Sequence, residues 1–323
     1  MRSETDRRSV GEGELLWTPS PERIERTRLT DFTRFAEERT GRAFDEYAEL
    51  WRWSTTELEQ FWQAVWDFFD VRSSAPPTAV LAERTMPGAR WFPGARLNYA
   101  EHVLRMERPG EPALLYLSET APLRELPWEE FTRQVRVLAT WLRGRGVRPG
   151  DRVAACLPNV PEAMVAMVAT ASIGAVWACV SPDFGARGAL DRFGQLAPTV
   201  LLATDGYRYG GRDFDRRAEV QEMVRGLPGL REVVHVPSLG LEAPGTPWAD
   251  IVAGPDVPAV EFACEQVPFD HPLWVLFSSG TTGLPKAIVH GHGGILLEQL
   301  KLQSFHLDLR PGTGRSSSPR PAG

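Results

Sequence analysis

Apolar positions along this chain repeat in two ways. Between residues 54 and 69 they follow a helix. Ser54-Thr55-Thr56-Glu57 has the spacing of a capping box, and after it Leu58, Phe61, Trp62, Val65, Trp66 and Phe69 recur at three and four residues. Such an aromatic stripe serves either to pack on the main domain or to line a groove for a partner, and packing is its commoner use. Beyond residue 111 short apolar runs alternate with amphipathic stretches. The runs predict strands at Ala113–Leu117, Val153–Leu157, Ala175–Val180, Val200–Ala203, Val233–Val236, Leu273–Phe277 and Ala287–His290. The stretches between them predict helices over residues 131–142, 161–173, 188–196 and 214–225, and one more over 294–309. The expected fold is α/β, a parallel sheet wrapped on both faces and preceded by a helical N-terminal extension. No internal repeat is visible.

Punctuation divides the chain further. Residues 73–79 (SSAPPTA) read as a linker, and residues 90–99 as a loop that enters a helix. Residues 1–14 are polar and are expected to be disordered. So is the tail 312–323, where Ser, Pro, Gly and Arg make up nearly everything. The start MRSETDRRSVGEGE has no apolar core for a secretory signal, and the most apolar stretch, Ala163–Val180, is interrupted by Gly174. The expected location is therefore the cytoplasm, with no membrane span.

Composition narrows the function classes. The 29 glycines and 27 prolines among 323 residues are about a sixth of the chain, short of the roughly 25–30% of a low-complexity polymer. A net charge of −6 gives no general attraction for nucleic acid, so any nucleotide must be held by a local site. Only Lys286 and Lys301 are lysine among the 36 basic residues, which makes their positions informative. Cys156, Cys179 and Cys264 are odd in number and far apart, so they read as buried structural thiols rather than a disulfide frame or a zinc knuckle.

The sharpest candidate chemistry is Ser278-Ser279-Gly280-Thr281-Thr282-Gly283-Leu284-Pro285-Lys286, set between two apolar strands. Glycines let several backbone N–H groups converge on one anion, four hydroxyls add donors, and Lys286 adds a point charge. The loop follows the carboxyl end of a strand, where open α/β sheets bind ligands. It differs from a Walker A loop in its glycine spacing, in the Leu-Pro before the lysine, and in leading to a strand rather than a helix. His290 and His292 share one face of that strand at period two. With no third ligand in range, packing explains them better than metal binding. Glu129 and Glu130 open a helix, where they favour its dipole and do not form a catalytic pair.

Ser278–Lys286 resembles the signature phosphate loop of the adenylate-forming acyl-CoA synthetase superfamily. Leu16–Ser20, Met86–Ala100, Ser181–Gly185 and Lys286–Gly294 resemble its acetoacetate–CoA ligase branch. The resemblance covers about residues 15 to 311. It implies a helical extension over 15–100, and then, over 101–311, an incomplete parallel-sheet AMP-binding domain. It implies a carboxylate attacking the α-phosphorus of Mg-ATP, followed by displacement of AMP by the thiolate of coenzyme A. The substrates would be a short-chain 3-keto acid, ATP and CoA, with Mg2+ arriving on ATP. By that resemblance Thr281, Thr282, Gly280 and Gly283 hold the β- and γ-phosphates, Ser278 and Ser279 support them, and Lys286 steadies the leaving pyrophosphate. Gly206–Arg212 resembles the place where relatives use arginines for the CoA nucleotide, which nominates Arg208 and Arg212. A solvated basic turn is the alternative there.

The family's adenine-binding segment, ribose-binding aspartate, hinge and late catalytic lysine have no counterpart in this sequence. The likeness stops at Arg310-Pro311-Gly312, as a frameshift or an early stop would cause. The chain therefore reads as an N-terminal part, inactive alone, with no catalytic residue of its own and with an unpaired sheet edge. The competing readings are an acetate or other short-acid ligase, a nucleotide-binding module without chemistry, and an interaction protein that uses the helix at 55–69.

Overall fold

The computed structural model describes residues 11–278, 283–310 and 312. The expected disorder of residues 1–10 and 313–323 lies outside the described residues. Contacts divide the chain into two units, one running to Phe68 and resuming at Leu300, the other spanning Phe69–Gln299.

The first unit is helical, and its helix ends are set by caps. α1 (Pro21–Glu25) starts on Ser20, whose hydroxyl accepts the Arg23 N–H. α2 (Arg28–Thr40) starts on Thr27 and ends at Gly41, left-handed with φ 68°. α3 (Tyr47–Thr56) and α4 (Leu58–Phe68) meet at Glu57. The expected cap at Ser54 is corrected here. Glu49 reaches back to the N–H groups of Asp45 and Glu46, so a helix is already running when it reaches Ser54. The Ser54 hydroxyl donates to Trp51 O, and Glu57 closes α3 with its N–H on Trp53 O. The aromatic stripe of α4 makes core. Phe61, Val65 and Trp66 are buried, and Phe61 meets Phe32 and Trp53 edge-on at 5.9 and 5.6 Å. A returning π-turn, Leu302–His306, adds Phe305, which stacks on Phe32 at 4.4 Å. Lys301 lies 5.2 Å above the Trp62 ring.

The second unit opens with three short strands, β1 (Leu81–Glu83), β2 (Arg90–Trp91) and β3 (Arg96–Leu97). Residues 73–79 are bound to this unit rather than free. The Ser73 hydroxyl donates to Arg96 O at 2.9 Å and the Thr78 N–H to Pro93 O at 2.8 Å. Proline removes two donors there, but serine and threonine replace them. α5 (Tyr99–Leu104) starts on Asn98, whose Oδ1 accepts the Ala100 N–H. β4 (Pro112–Ser118) and β5 (Ala121–Pro127) form an antiparallel hairpin outside the main sheet, and α6 (Trp128–Gly144) follows.

The repeating part then begins with β6 (Arg152–Cys156), α7 (Pro161–Ser172), β7 (Val176–Val180), α8 (Gly185–Phe193) and β8 (Val200–Thr204). A hairpin of β9 (Gly206–Tyr209) and β10 (Arg212–Asp215) leads to α9 (Arg217–Gly226), β11 (Glu232–Val236), β12 (Thr246–Pro247) and α10 (Trp248–Val252). β13 (Val267–Pro268), β14 (Pro272–Ser278), β15 (Lys286–Gly291) and α11 (His292–Lys301) complete it. The hairpin and the later start of α9 correct the helix expected from Phe214. Tyr207 and Phe214 are cross-strand partners with rings stacked at 5.0 Å, which favours a ribbon over a helical turn.

The main sheet runs β12-β11-β8-β6-β7-β14-β15, parallel except for the last pair. β15 is antiparallel because residues 279–285 are too few for a crossover. One face, with Val153, Ala155 and Trp177, packs on α6 and α7, and the other, with Ala154, Cys156 and Ala178, packs on α8 and α9. Chain order therefore reverses at β6, with β7 on one side and β8 on the other.

Candidate functional site

Open α/β sheets bind ligands beyond the carboxyl ends of their strands, near such a reversal. Six parallel strands have their carboxyl ends at that edge here. After β14 comes the serine-, glycine- and threonine-rich loop. Its ends, Ser278 and Lys286, are register partners, so the strand pair closes the loop at its base. Ser279, Gly280, Thr281 and Thr282 lie outside the described residues. Gly283 is exposed with φ 108°, a conformation that glycine tolerates. Lys286 is exposed and makes no ion pair among the described residues. Gln195, just past α8, donates to Pro285 O at 3.0 Å and steadies the far end of the loop, a contact the sequence reading did not contain.

After β8 comes the β9–β10 hairpin. Its base is fixed by Asp205, which has no exposed surface and accepts the N–H groups of Ser238, Leu239 and Leu241 at 2.7, 3.1 and 2.7 Å. Burial raises the Asp205 carboxyl, and these donors outweigh it, so the carboxyl is held below its usual range. A Cβ at Gly206 would lie 2.4 Å from Phe214 O, so only glycine fits the first pair of the ribbon. Arg208 is bidentate to Asp213 at 2.6 and 2.9 Å, and their hydrogen bond raises the arginine and lowers the carboxyl. Arg212 pairs in register with Tyr209. Alternation along the ribbon therefore puts Arg208 and Arg212 on opposite faces. At the turn, Gly210 and Gly211 donate to Glu119 from the β4–β5 hairpin, and the Glu119 carboxyl is held low by those two bonds. The structure thus places the loop and the hairpin on one edge, separated by three strand spacings, about 14 Å.

The remaining candidates are structural. His290 and His292 do not share a strand face: His290 is in β15, and His292 is the first residue of α11, buried where the chain turns. No group of three His, Cys, Asp or Glu side chains suited to a metal ion occurs among the described residues. Burial pushes the Cys156 and Cys264 thiols up to about 12. Cys179, near the carboxyl end of β7, leaves part of its surface exposed, while burial still pushes its thiol up to about 11. Glu129 accepts the Gly110 N–H, and Glu130 pairs with Arg133, so the two acids face different partners. Among the described residues no helix is long and apolar enough to cross a membrane.

A mostly parallel open sheet with a serine-, glycine- and threonine-rich loop following β14 has the layout of the α/β nucleotide-binding proteins. The AMP-binding enzyme model matches residues 103–313, more than half of the chain, and the chain belongs to that family. The acetyl-coenzyme A synthetase N-terminus model matches residues 47–103. Among individual proteins, the chain is 43% identical over 304 residues to an acetoacetyl-coenzyme A synthetase of Rhizobium meliloti (strain 1021), covering 92% of this chain and 46% of the relative. It is 34% identical over 321 residues to malonamoyl-CoA synthetase vrtB of Penicillium aethiopicum, covering 94% and 44%. The solved acetoacetyl-CoA synthetase from Streptomyces lividans superposes with a TM-score of 0.88 at 56% identity, covering 92% of this chain and 46% of that one. The chain spans about half the length of the curated relatives it matches.

Proposed function

We propose that this chain supplies the polyphosphate-binding and CoA-nucleotide-binding parts of an AMP-forming acetoacetate–CoA ligase. The observation that carries this is the loop 279–285, closed by the Ser278–Lys286 pair at the carboxyl end of a parallel strand. In the proposed reaction, a carboxylate oxygen of acetoacetate attacks the α-phosphorus of ATP and expels pyrophosphate. The CoA thiolate then attacks the acyl carbon and expels AMP. Ser278, Ser279, Gly280, Thr281, Thr282 and Gly283 would offer hydroxyl and N–H donors to the β- and γ-phosphates, and Lys286 a cation to the departing pyrophosphate. Of the hairpin arginines Arg208 and Arg212, Arg212 would meet the CoA nucleotide, and Arg208, on the opposite face and paired with Asp213, would hold the ribbon. Mg2+ would enter on the ATP phosphates. The described residues form no carboxylate cage for it, so no step is assigned through the metal.

Acetoacetate is favoured as the acid because acetoacetyl and malonamoyl groups, the acyl groups in the relatives' names, both carry a carbonyl at C3. We assign residues 15–100 to the synthetase extension and 101–311 to the AMP-binding domain, in a protein of the cytoplasm. Equilibrium binding of Mg-ATP to the 323-residue chain tests the loop. Lys286→Ala should weaken it about tenfold, the loss of one charge contact. Acid-dependent exchange of labelled pyrophosphate into ATP tests the chemistry. Exchange with acetoacetate supports the acid assignment, and exchange with acetate alone transfers it to the acetate ligases. Binding without exchange for any acid leaves a nucleotide-binding module.

A further inference from the structure

The turn of the β9–β10 hairpin already holds an anion. Gly210 and Gly211 both have positive φ, 59° and 72°, as the two-residue turn of this hairpin requires, and their consecutive N–H groups both point at one carboxylate. Gly210 donates to Oε1 of Glu119 and Gly211 to Oε2, each at 2.8 Å. Glu119 is an exposed residue at the tip of the β4–β5 hairpin, 91 residues earlier than Gly210. Its carboxylate takes no other hydrogen bond among the described residues. Gripped by both oxygens, it occupies the turn as two oxygens of a phosphomonoester would.

The nearby charges are distributed accordingly. Arg208 is neutralised by Asp213. Arg212 has no ion pair among the described residues, and it shares a ribbon face with Tyr209, which is 57% exposed. One hairpin therefore offers a free cation, an open aromatic ring on which a base can stack, and an anion-binding turn. That set matches an adenosine phosphomonoester better than inorganic phosphate alone.

We propose that Glu119 is an internal competitor for this anion site, closing the turn in the free chain and yielding it to the phosphomonoester of a nucleotide. Two N–H groups cannot serve a carboxylate and a dianionic phosphate together, and the like charges repel. Binding would therefore release the tip of the β4–β5 hairpin. This rests on reading the hairpin as the place of the CoA nucleotide.

The test titrates the full 323-residue chain with adenosine 3′,5′-bisphosphate and, separately, with inorganic phosphate. Glu119→Ala should bind the bisphosphate about tenfold more tightly than wild type, one charge-assisted contact being no longer contested. Glu119→Gln, which keeps the shape of the side chain, should gain in the same direction. Gly211→Ala, strained at φ 72°, should lose binding with or without Glu119. Unchanged or weaker binding in both Glu119 variants overturns the proposal and makes Glu119 a clasp between two hairpins. The CoA reading then survives if the bisphosphate still binds. Equal gains for phosphate and bisphosphate, with equal affinities, uphold the competitor and remove the CoA reading. Failure of both anions to bind the Glu119 variants overturns the competitor outright.

Discussion

At the start of α11, His292 has no exposed surface, and its Nδ1 accepts the Tyr99 N–H at 3.1 Å. That leaves the proton on Nε2, which has no partner among the described protein groups. Burial, and then the charge of His271, push its pKa down to about 3. The unfolded chain, with a pKa near ~6.5, binds this proton more readily than the folded one. Stability from this group is therefore full above that value and falls with pH between about 6.5 and 3, by about 1.4 kcal/mol per unit. His292→Asn, which retains an acceptor for Tyr99 and does not titrate, should flatten the fall in urea midpoint between neutral pH and mild acid. An unchanged slope would exclude His292 as its source. The spacing of the histidines put His292 on a strand face with His290, and the structure instead makes it the first residue of α11. Its acceptance of the Tyr99 N–H was not legible in the sequence, nor was the grip of Gly210 and Gly211 on Glu119. These partners are 193 and 91 residues apart, and no periodicity records such pairs.

Elements were legible in proportion to how apolar they are. β6, β7 and β8 are buried runs and β11 and β14 are apolar, part-buried ones, so their existence follows from sequence to within a residue or two of each end. The β9–β10 ribbon reads GYRYGGRDFD and has few apolar positions to alternate, so its strands were hidden in what looked like a basic turn. The phosphate-type loop was legible as a motif, and its place at the carboxyl end of β14 followed from the strand before it. β15 has no further neighbour among the described residues, and it leaves Ile288 45% and Val289 58% exposed, beside Leu276 at 50%. Unpaired apolar edges associate, and a lysine on the edge blocks pairing. In sedimentation velocity over a concentration series, the wild-type chain should self-associate and Val289→Lys should shift it towards monomer. A wild type that stays monomeric at all concentrations would remove the edge as an association site.

Taken whole, the chain builds two cores, and the first is assembled from two stretches separated by residues 69–299. The first needs Phe305, which stacks on Phe32 and meets Phe68 edge-on at 5.8 Å. Phe305→Ala should cost the first unit about 3–5 kcal/mol, the range for an aromatic deleted from a core. Hydrogen exchange should then speed up in α2 and α4 while the strands of the main sheet keep their protection. Uniform acceleration in both would mean that the two cores unfold together. No helix or strand pattern could reveal this dependence, because residues 302–306 lie at the end of an amphipathic run that reads as ordinary helix. It also sets an order of events at the ribosome. The rings of Phe32, Phe61 and Phe68 leave the exit tunnel early, and their last partner follows only after residues 69–299 have been translated, on the order of ten to fifty seconds later. The helical core is thus completed only after the intervening unit has been made, and for that interval the nascent protein carries an open aromatic cluster of the kind that chaperones bind.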